Sequence, residues 1–328
     1  MSKKKRTSPE QVKADIEAIM NSNLTLLAQA DELCDKGAAS YEAEDDLAAA
    51  MYYEQAANLC ILREGALADV QFRCGVSYAM CDSKYAEKSA EMFRLAAEGG
   101  HAKAMLNLAV CYQKGNGVAK NEKKCFMWAN RAADCGDIEA MYITGLCLEE
   151  GFGTEKDAVG AFVWMRRAAE NGLTDAMYKT ALNFENGTGT VASAEEAFEW
   201  YRKAAELGHT DAMHDLAACY ANGDGTDANS AEAFRWMRKA AEGGNVDAMR
   251  ITGGSYYNGF GTAENHKEAF KWFKRAAEQG DVDSMRLVAD CYNMGVGTQV
   301  DRQQAFKWYQ MAAQNGDYES REVLEGIY

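Results

Sequence analysis

Proline is almost missing: the 328 residues hold one proline against 29 glycines. A chain so poor in proline has no polyproline or collagen-like segment, and proline hardly interrupts its helices. No apolar run approaches the roughly 18 residues that a membrane-spanning helix needs. The N-terminus, MSKKKRTSPE, has charge but no apolar stretch behind it, so a soluble chain without a secretion signal is expected. Positive charge is scarce, with 35 Lys and Arg against 50 Asp and Glu and a formal net charge of -15. Residues 1–13 hold Lys3, Lys4, Lys5, Arg6 and Lys13 against Glu10, a surplus of +4 that leaves -19 on the body. Such a body repels nucleic acid and anionic membranes and favours neutral or basic partners. There are ten cysteines but no Cys-x-x-Cys pair, and the spacings fit neither a zinc knuckle nor a compact disulfide scaffold. Reduced thiols in a cytoplasmic protein are expected, with no metal and no cofactor.

What is present is helix-forming. Alanines and 16 methionines favour helix throughout, and 328 residues suffice to bury a sizeable core. The six tryptophans, Trp128, Trp164, Trp200, Trp236, Trp272 and Trp308, follow one another at intervals of 36 residues. The same interval relates Gly115, Gly151, Gly187, Gly223, Gly259 and Gly295, each followed two residues later by another glycine. It also relates the glycines from Gly100 to Gly316 and the Ala-Met pairs that begin at Ala104. A period of this size is the mark of a repeat architecture.

Within one unit, from Asp211, apolar and small residues recur twice at helical spacing around a glycine-rich turn, so the unit is a helical hairpin. The column Asn121, Asp157, Ser193, Asn229, Asn265 and Asp301 supplies N-caps to the second helices. Gly100, Gly136 and their equivalents close those helices in a left-handed conformation. One hairpin cannot bury both faces, so neighbours must stack. The expected fold class is all-α: a right-handed α-solenoid of stacked helical hairpins with a 36-residue repeat. The expected organisation is a basic flexible tail at 1–8, a capping helix and degenerate hairpin at 9–64, the repeat solenoid at 65–316, and a C-terminal capping helix at 317–328. Ser8-Pro9-Glu10-Gln11 has the form of a capping box.

The residues resemble the Sel-1-like repeats, relatives of the tetratricopeptide repeats. The match is carried by a framework such as Ala104, Leu108, Ala109, Tyr112, Gly115, Gly117, Val118, Asn121, Cys125, Trp128, Ala132, Ala133 and Gly136. It covers about three quarters of the chain, and it implies a non-enzymatic adaptor or scaffold. Some proteins similar to this family are described as β-lactamase-like or penicillin-binding, which makes a serine hydrolase the enzyme alternative. That chemistry needs serine and lysine one helical turn apart, and Ser2–Lys5 in the charged tail is the one such pair. A structural, self-associating spacer is the other alternative. Exported members of the family resemble disulfide-stapled versions with two cysteines in each unit. Here Cys111, Cys147, Cys219 and Cys291 share a column with Asn183 and Ser255, which suits small buried packing.

The Gly-x-Gly turns lack the third glycine and the preceding strand of a dinucleotide loop and are read as turns. The tryptophan column is read as core. His101 and His209, just after the capping glycine, are read as solvated turn residues. Framework-variable positions two, six and nine residues after the first-helix alanine form one stripe, which by analogy to tetratricopeptide repeats lines the concave face. Along it lie Phe72, Val76, Leu106, Val110, Tyr142, Leu146, Tyr178 and Leu182, then His214, Arg250, Tyr257 and Arg286. These are the candidate partner-binding residues, for a protein or peptide ligand of basic or amphipathic character. Packing against the next hairpin is the alternative role for the same side chains. Glu139, Asp175, Asp211, Asp247 and Asp283 precede the framework alanine and would favour basic partners if they edge the groove.

Overall fold

In a computed structural model of the chain the described residues are 7–22, 24, 26–59 and 66–326, and all regular structure among them is helical. Residues 1–6 of the expected basic tail at 1–8 lie outside them, as do 60–65 at one proposed boundary and 327–328 at the end of the closing helix. The chain divides into two compact units, residues 1–171 and 172–328.

The first unit opens with α1 (Pro9–Met20), whose N-cap Ser8 accepts from the Gln11 amide as the capping-box reading requires. It rests on the hairpin of α2 (Leu26–Glu42) and α3 (Asp46–Asn58). Three more hairpins follow: α4 (Ala66–Ala79) with α5 (Ala86–Glu98), α6 (Ala102–Lys114) with α7 (Glu122–Asp134), and α8 (Ile138–Glu150) with α9 (Ala158–Glu170). In the hairpin of α4 and α5 a short 3₁₀ turn, Ser83–Tyr85, replaces the glycine turn. The second unit contains α10 (Thr174–Asn186) with α11 (Ala194–Glu206), α12 (Thr210–Asn222) with α13 (Ser230–Glu242), α14 (Val246–Asn258) with α15 (His266–Glu278), and α16 (Val282–Met294) with α17 (Arg302–Gln314). It closes with α18 (Tyr318–Gly326).

Each unit is thus a stack of helical hairpins, as the 36-residue period predicts. The second-helix N-caps are those the sequence nominates: side chains of Asn121, Asp157, Ser193, Asn229, Asn265 and Asp301 all accept from backbone amides two or three residues on. The two turn glycines have separate causes. Gly223 ends α12 in the left-handed region at φ 84, where a side chain is strained. Gly225 lies against the start of α11, and a Cβ there would come 2.1 Å from the Ala194 carbonyl oxygen. In the first unit Gly117 meets Ala86 in the same way at 2.0 Å. The turn therefore packs on the preceding hairpin's second helix.

The core lies between these layers. Trp128, Trp200, Trp236 and Trp272 are 6–7% exposed, while Trp164 and Trp308 are only partly buried. A cation from the next turn covers the indole at Trp128, Trp164, Trp200, Trp236 and Trp272, at 3.9–4.7 Å from the ring centre (Arg131, Arg167, Lys203, Lys239 and Arg275). First-helix tyrosines meet the preceding second helix edge-on, as in Tyr220 with Phe198 at 5.2 Å.

Candidate functional site

The residues of the first-helix stripe fall into two columns that do different things. In the inner column, two residues after the framework position, Phe72, Tyr178, Arg250 and Arg286 reach the N-cap of the next hairpin. Phe72 stacks on His101, ring centres 4.3 Å apart and planes 20° from parallel. Tyr178 stacks on His209 in the same manner, at 4.5 Å and 26°. Further along the second unit the aromatic becomes arginine and the histidine becomes aspartate: Arg250 Nε lies 3.6 Å from Asp281, and Arg286 Nε 3.6 Å from Asp317. Leu106 is buried and lies beside Asp137 and Ile138 in a hollow of 430 Å³.

The cap and its clamp match chemically. His101 Nδ1 accepts from the Ala104 amide at 3.2 Å, and His209 Nδ1 from the Ala212 amide at 3.1 Å. An accepting Nδ1 leaves the proton on Nε2. Those Nε2 atoms face Asp69 and Asp175 at 3.8 and 3.7 Å, one turn before the stacking ring. Where the cap is Asp281 or Asp317, its carboxylate accepts from Ser284 or Ser320 and an arginine replaces the ring. His101 and His209 are accordingly partly buried structural caps, which corrects their reading as solvated turn residues: the free amides of a starting helix recruit the ring nitrogen, and the preceding aromatic covers its face.

The outer column remains at the surface of the same face. Val76, Val110, Leu146 and Leu182 are half-buried. Hollows open between successive first helices here. One in the first unit, between α6 and α8, has a volume of 330 Å³ and is lined by Val110, Ile143 and Leu146 among others. At the same place in the repeat of the second unit, between α14 and α16, the hollow has 660 Å³. Arg250 is on its rim and Tyr257 at its mouth.

His214 and Tyr178 join a polar network in the second unit. Asp215 receives the Tyr178 hydroxyl on one oxygen at 3.0 Å and faces His214 Nδ1 with the other at 2.8 Å. That hydrogen bond, with the charges of Asp215, Asp247 and Asp211, holds His214 protonated to higher pH than an ordinary histidine. Burial, together with Asp215, pushes the Tyr178 phenol upward. Tyr201 donates to Glu185 and Tyr309 to Asp290, so carboxylates on this face are held by tyrosines rising from the second helices. Arg286 reaches Glu319 at 2.8 Å. The acidic column stays exposed at Asp211, Asp247 and Asp283. Tyr142 also has an interaction with its surroundings.

Cys111, Cys147, Cys219 and Cys291 are buried free thiols, pushed up by burial to about 12 at Cys147 and Cys219 and about 11 at Cys291. Among the described residues no group of three or more His, Cys, Asp and Glu could hold a metal ion, and no helix is long and apolar enough to cross a membrane. Ser2 and Lys5 lie outside the described residues. Sequence reasoning passed over the first-helix caps, His101, Asp137, Leu173, His209, Asn245, Asp281 and Asp317. Their signal was present: six of the seven carry a side chain able to accept a hydrogen bond, and they stand one residue after the glycine that closes the preceding helix.

A family model described as Sel1 repeat matches residues 26–59, 82–101, 102–137, 138–173, 174–209, 210–245, 246–281 and 282–317. Two solved structures are similar over most of their length. One is c5321, a protective antigen of uropathogenic Escherichia coli with an SLR fold, at TM-score 0.82 and 26% identity, covering 98% of this chain and 68% of that one. The other is a Sel1 repeat protein from Oxalobacter formigenes, at TM-score 0.62 and 27% identity, covering 76% of this chain and 97% of that one. No curated protein matches the sequence.

Proposed function

Because the chain belongs to the Sel1 repeat family, whose solenoids are generally protein–protein interaction scaffolds, we propose that it is a non-enzymatic adaptor holding a partner protein or peptide against its first-helix face. The observation that carries this reading is the set of apolar-lined hollows between successive first helices, present in both units. Phe72, Tyr178, Arg250 and Arg286 of the inner column, engaged with the next hairpin's cap, order the stack. The outer column supplies contact. Net charge of -15 and the exposed carboxylates of Asp211, Asp247 and Asp283 favour a basic partner, and such charges accelerate encounter more than they hold the complex. We place the protein in the cytoplasm because its buried thiols fill space singly, as small apolar side chains do.

The test replaces Val76, Val110, Leu146 and Leu182 together by glutamine and leaves Tyr142 and Tyr178 in place. Partners captured by the wild-type chain from cells of its own host, identified by mass spectrometry, should be lost from the variant while helicity is retained. Retention of every partner would refute the first-helix face as the binding surface. Reductant should leave the melting temperature unchanged; a fall of many degrees would mean structural disulfides and an oxidising compartment.

A further inference from the structure

The hollow between α14 and α16 is built differently from its counterpart in the first unit. Its floor is Phe273, its walls include Ile251 and Leu287, and its mouth carries Tyr257, Phe260 and Met294 at 38%, 47% and 61% exposure. It opens because of one residue. The column Val110, Leu146, Leu182, Ala218, Gly254 and Asp290 loses its side chain at Gly254, where an added Cβ would meet nothing within 4 Å. The neighbouring Gly253 has a packing reason, since a Cβ there would press on the Phe273 ring at 2.6 Å. Gly254 has none, yet a glycine inside a helix costs about 1 kcal/mol against alanine. A local rule broken without packing gain, beside three exposed large apolar side chains, is the pattern of a site shaped for something else.

The surroundings favour positive charge. Asp290 stands on the wall with one carboxylate oxygen taken by the Tyr309 hydroxyl. Helices α14 and α16 both end at this mouth, at Gly259 and Gly295, with the partial negative charge of helix C-termini. Among the lining residues the one cation is Arg250, already set against Asp247 and Asp281. A volume of 660 Å³ lies in the range of small-ligand sites and exceeds what one side chain fills. Resting on the adaptor reading above, we propose that this hollow is the anchor pocket for a basic segment of a partner protein. The segment seats a pair of bulky apolar side chains, one of them aromatic, on Phe273 and directs a flanking lysine or arginine to Asp290.

The probe is a set of 12-residue peptides selected by display on the full chain and then measured singly by fluorescence anisotropy. The selected peptides should share an aromatic residue, a second bulky apolar residue and flanking lysine or arginine. Gly254→Leu, which refills the column as Leu146 and Leu182 do, should weaken them at least about tenfold while melting at the wild-type temperature or above. Asp290→Asn should weaken them about threefold at low salt and less at high salt. Should Gly254→Leu melt lower, Met294→Gln at the exposed mouth takes its place and should give the same tenfold loss. If selected peptides bind the plugged variant as tightly as wild type, the pocket proposal is wrong while the first-helix face stands. If no peptide binds above background, the pocket proposal fails, while the first-helix face is judged by partner capture with the quadruple variant. Selection of acidic or wholly polar peptides overturns the proposed chemistry, and a dimer of the chain abolished by Gly254→Leu overturns it in favour of a second copy.

Discussion

The hollow between α6 and α8 and the hollow between α14 and α16 occupy the same place in the repeat, and the second has twice the volume of the first, 660 against 330 Å³. The scaffold is shared: 13-residue helices, left-handed glycine caps and a tryptophan-bearing second helix occur at both. The difference is made by side chains that the scaffold does not specify. Val110 fills where Gly254 leaves space, and Phe260 and Met294 stand where Asn116 and Glu150 do in the repeats around the first hollow. A repeat framework thus fixes where indentations form, and the variable columns decide what each one is.

The largest effect should come from what the two places have in common. Trp128→Ala and Trp236→Ala remove indoles of 7% and 6% exposure and should each cost roughly 3–5 kcal/mol in denaturant unfolding. A loss under about 1 kcal/mol at either would break the comparison by showing that the column is core in one unit alone.

The adjacent glycines sharpen it next. Gly253→Ala should destabilise by about 1–3 kcal/mol, because its Cβ meets the rigid Phe273 ring. Gly254→Ala should stabilise by about 0.5–1 kcal/mol through helix propensity alone. Gly145→Ala in the first unit meets Met165 Cγ at 2.8 Å and the Ala161 carbonyl oxygen at 3.2 Å and should likewise destabilise by about 1–3 kcal/mol. Equal effects of Gly253→Ala and Gly254→Ala in thermal melts would show that the hollow is not open in solution.

The two kinds of clamp, aromatic on histidine and arginine on aspartate, come next, at the level of about 1 kcal/mol. Losing the cap in His101→Ala or Asp281→Ala should cost about that much. Exchanging Asp281 for histidine should be unfavourable beside Arg250 and recover when Arg250 becomes tyrosine, reproducing the pair of Tyr178 and His209. A double-mutant cycle with no coupling would show that cap and clamp act independently.

The smallest effect concerns pH. His214 has its folded pKa raised by Asp215, so its contribution is fully present below the pKa of an unfolded histidine, about 6.5, and is lost as pH rises through the higher folded value. At the equivalent positions Phe72 and Leu106 of the first unit no titratable side chain stands. His214→Gln should remove this part of the pH dependence of melting. A proton titration of His214 at or below the ordinary value would overturn it.

The helices, their caps and their stacking were legible in the sequence because the period repeats each signal many times. Asn121 through Asp301 read as N-caps and are N-caps; the tryptophan column read as core, and Trp128, Trp200, Trp236 and Trp272 are buried while Trp164 and Trp308 are partly so. The first-helix stripe was legible only as a stripe. That Phe72, Tyr178, Arg250 and Arg286 reach the next hairpin's cap depends on the rise from one hairpin to the next, a distance that no spacing along the chain contains. Pairing the stripe column with the cap column would have exposed the exchange of aromatic–histidine for arginine–aspartate.

By itself the sequence determined the all-α class, the hairpin unit and the caps of its second helices, since each follows from a local backbone preference or a helical period repeated 36 residues apart. Only the tertiary structure decided which variable side chains are spent on neighbours and which face outward, and that Gly253 admits a ring while Gly254 leaves a hollow. Two glycines adjacent in sequence have the same local conformational freedom. They differ in what stands beyond the Cβ they lack, and that is set by the packing of other helices.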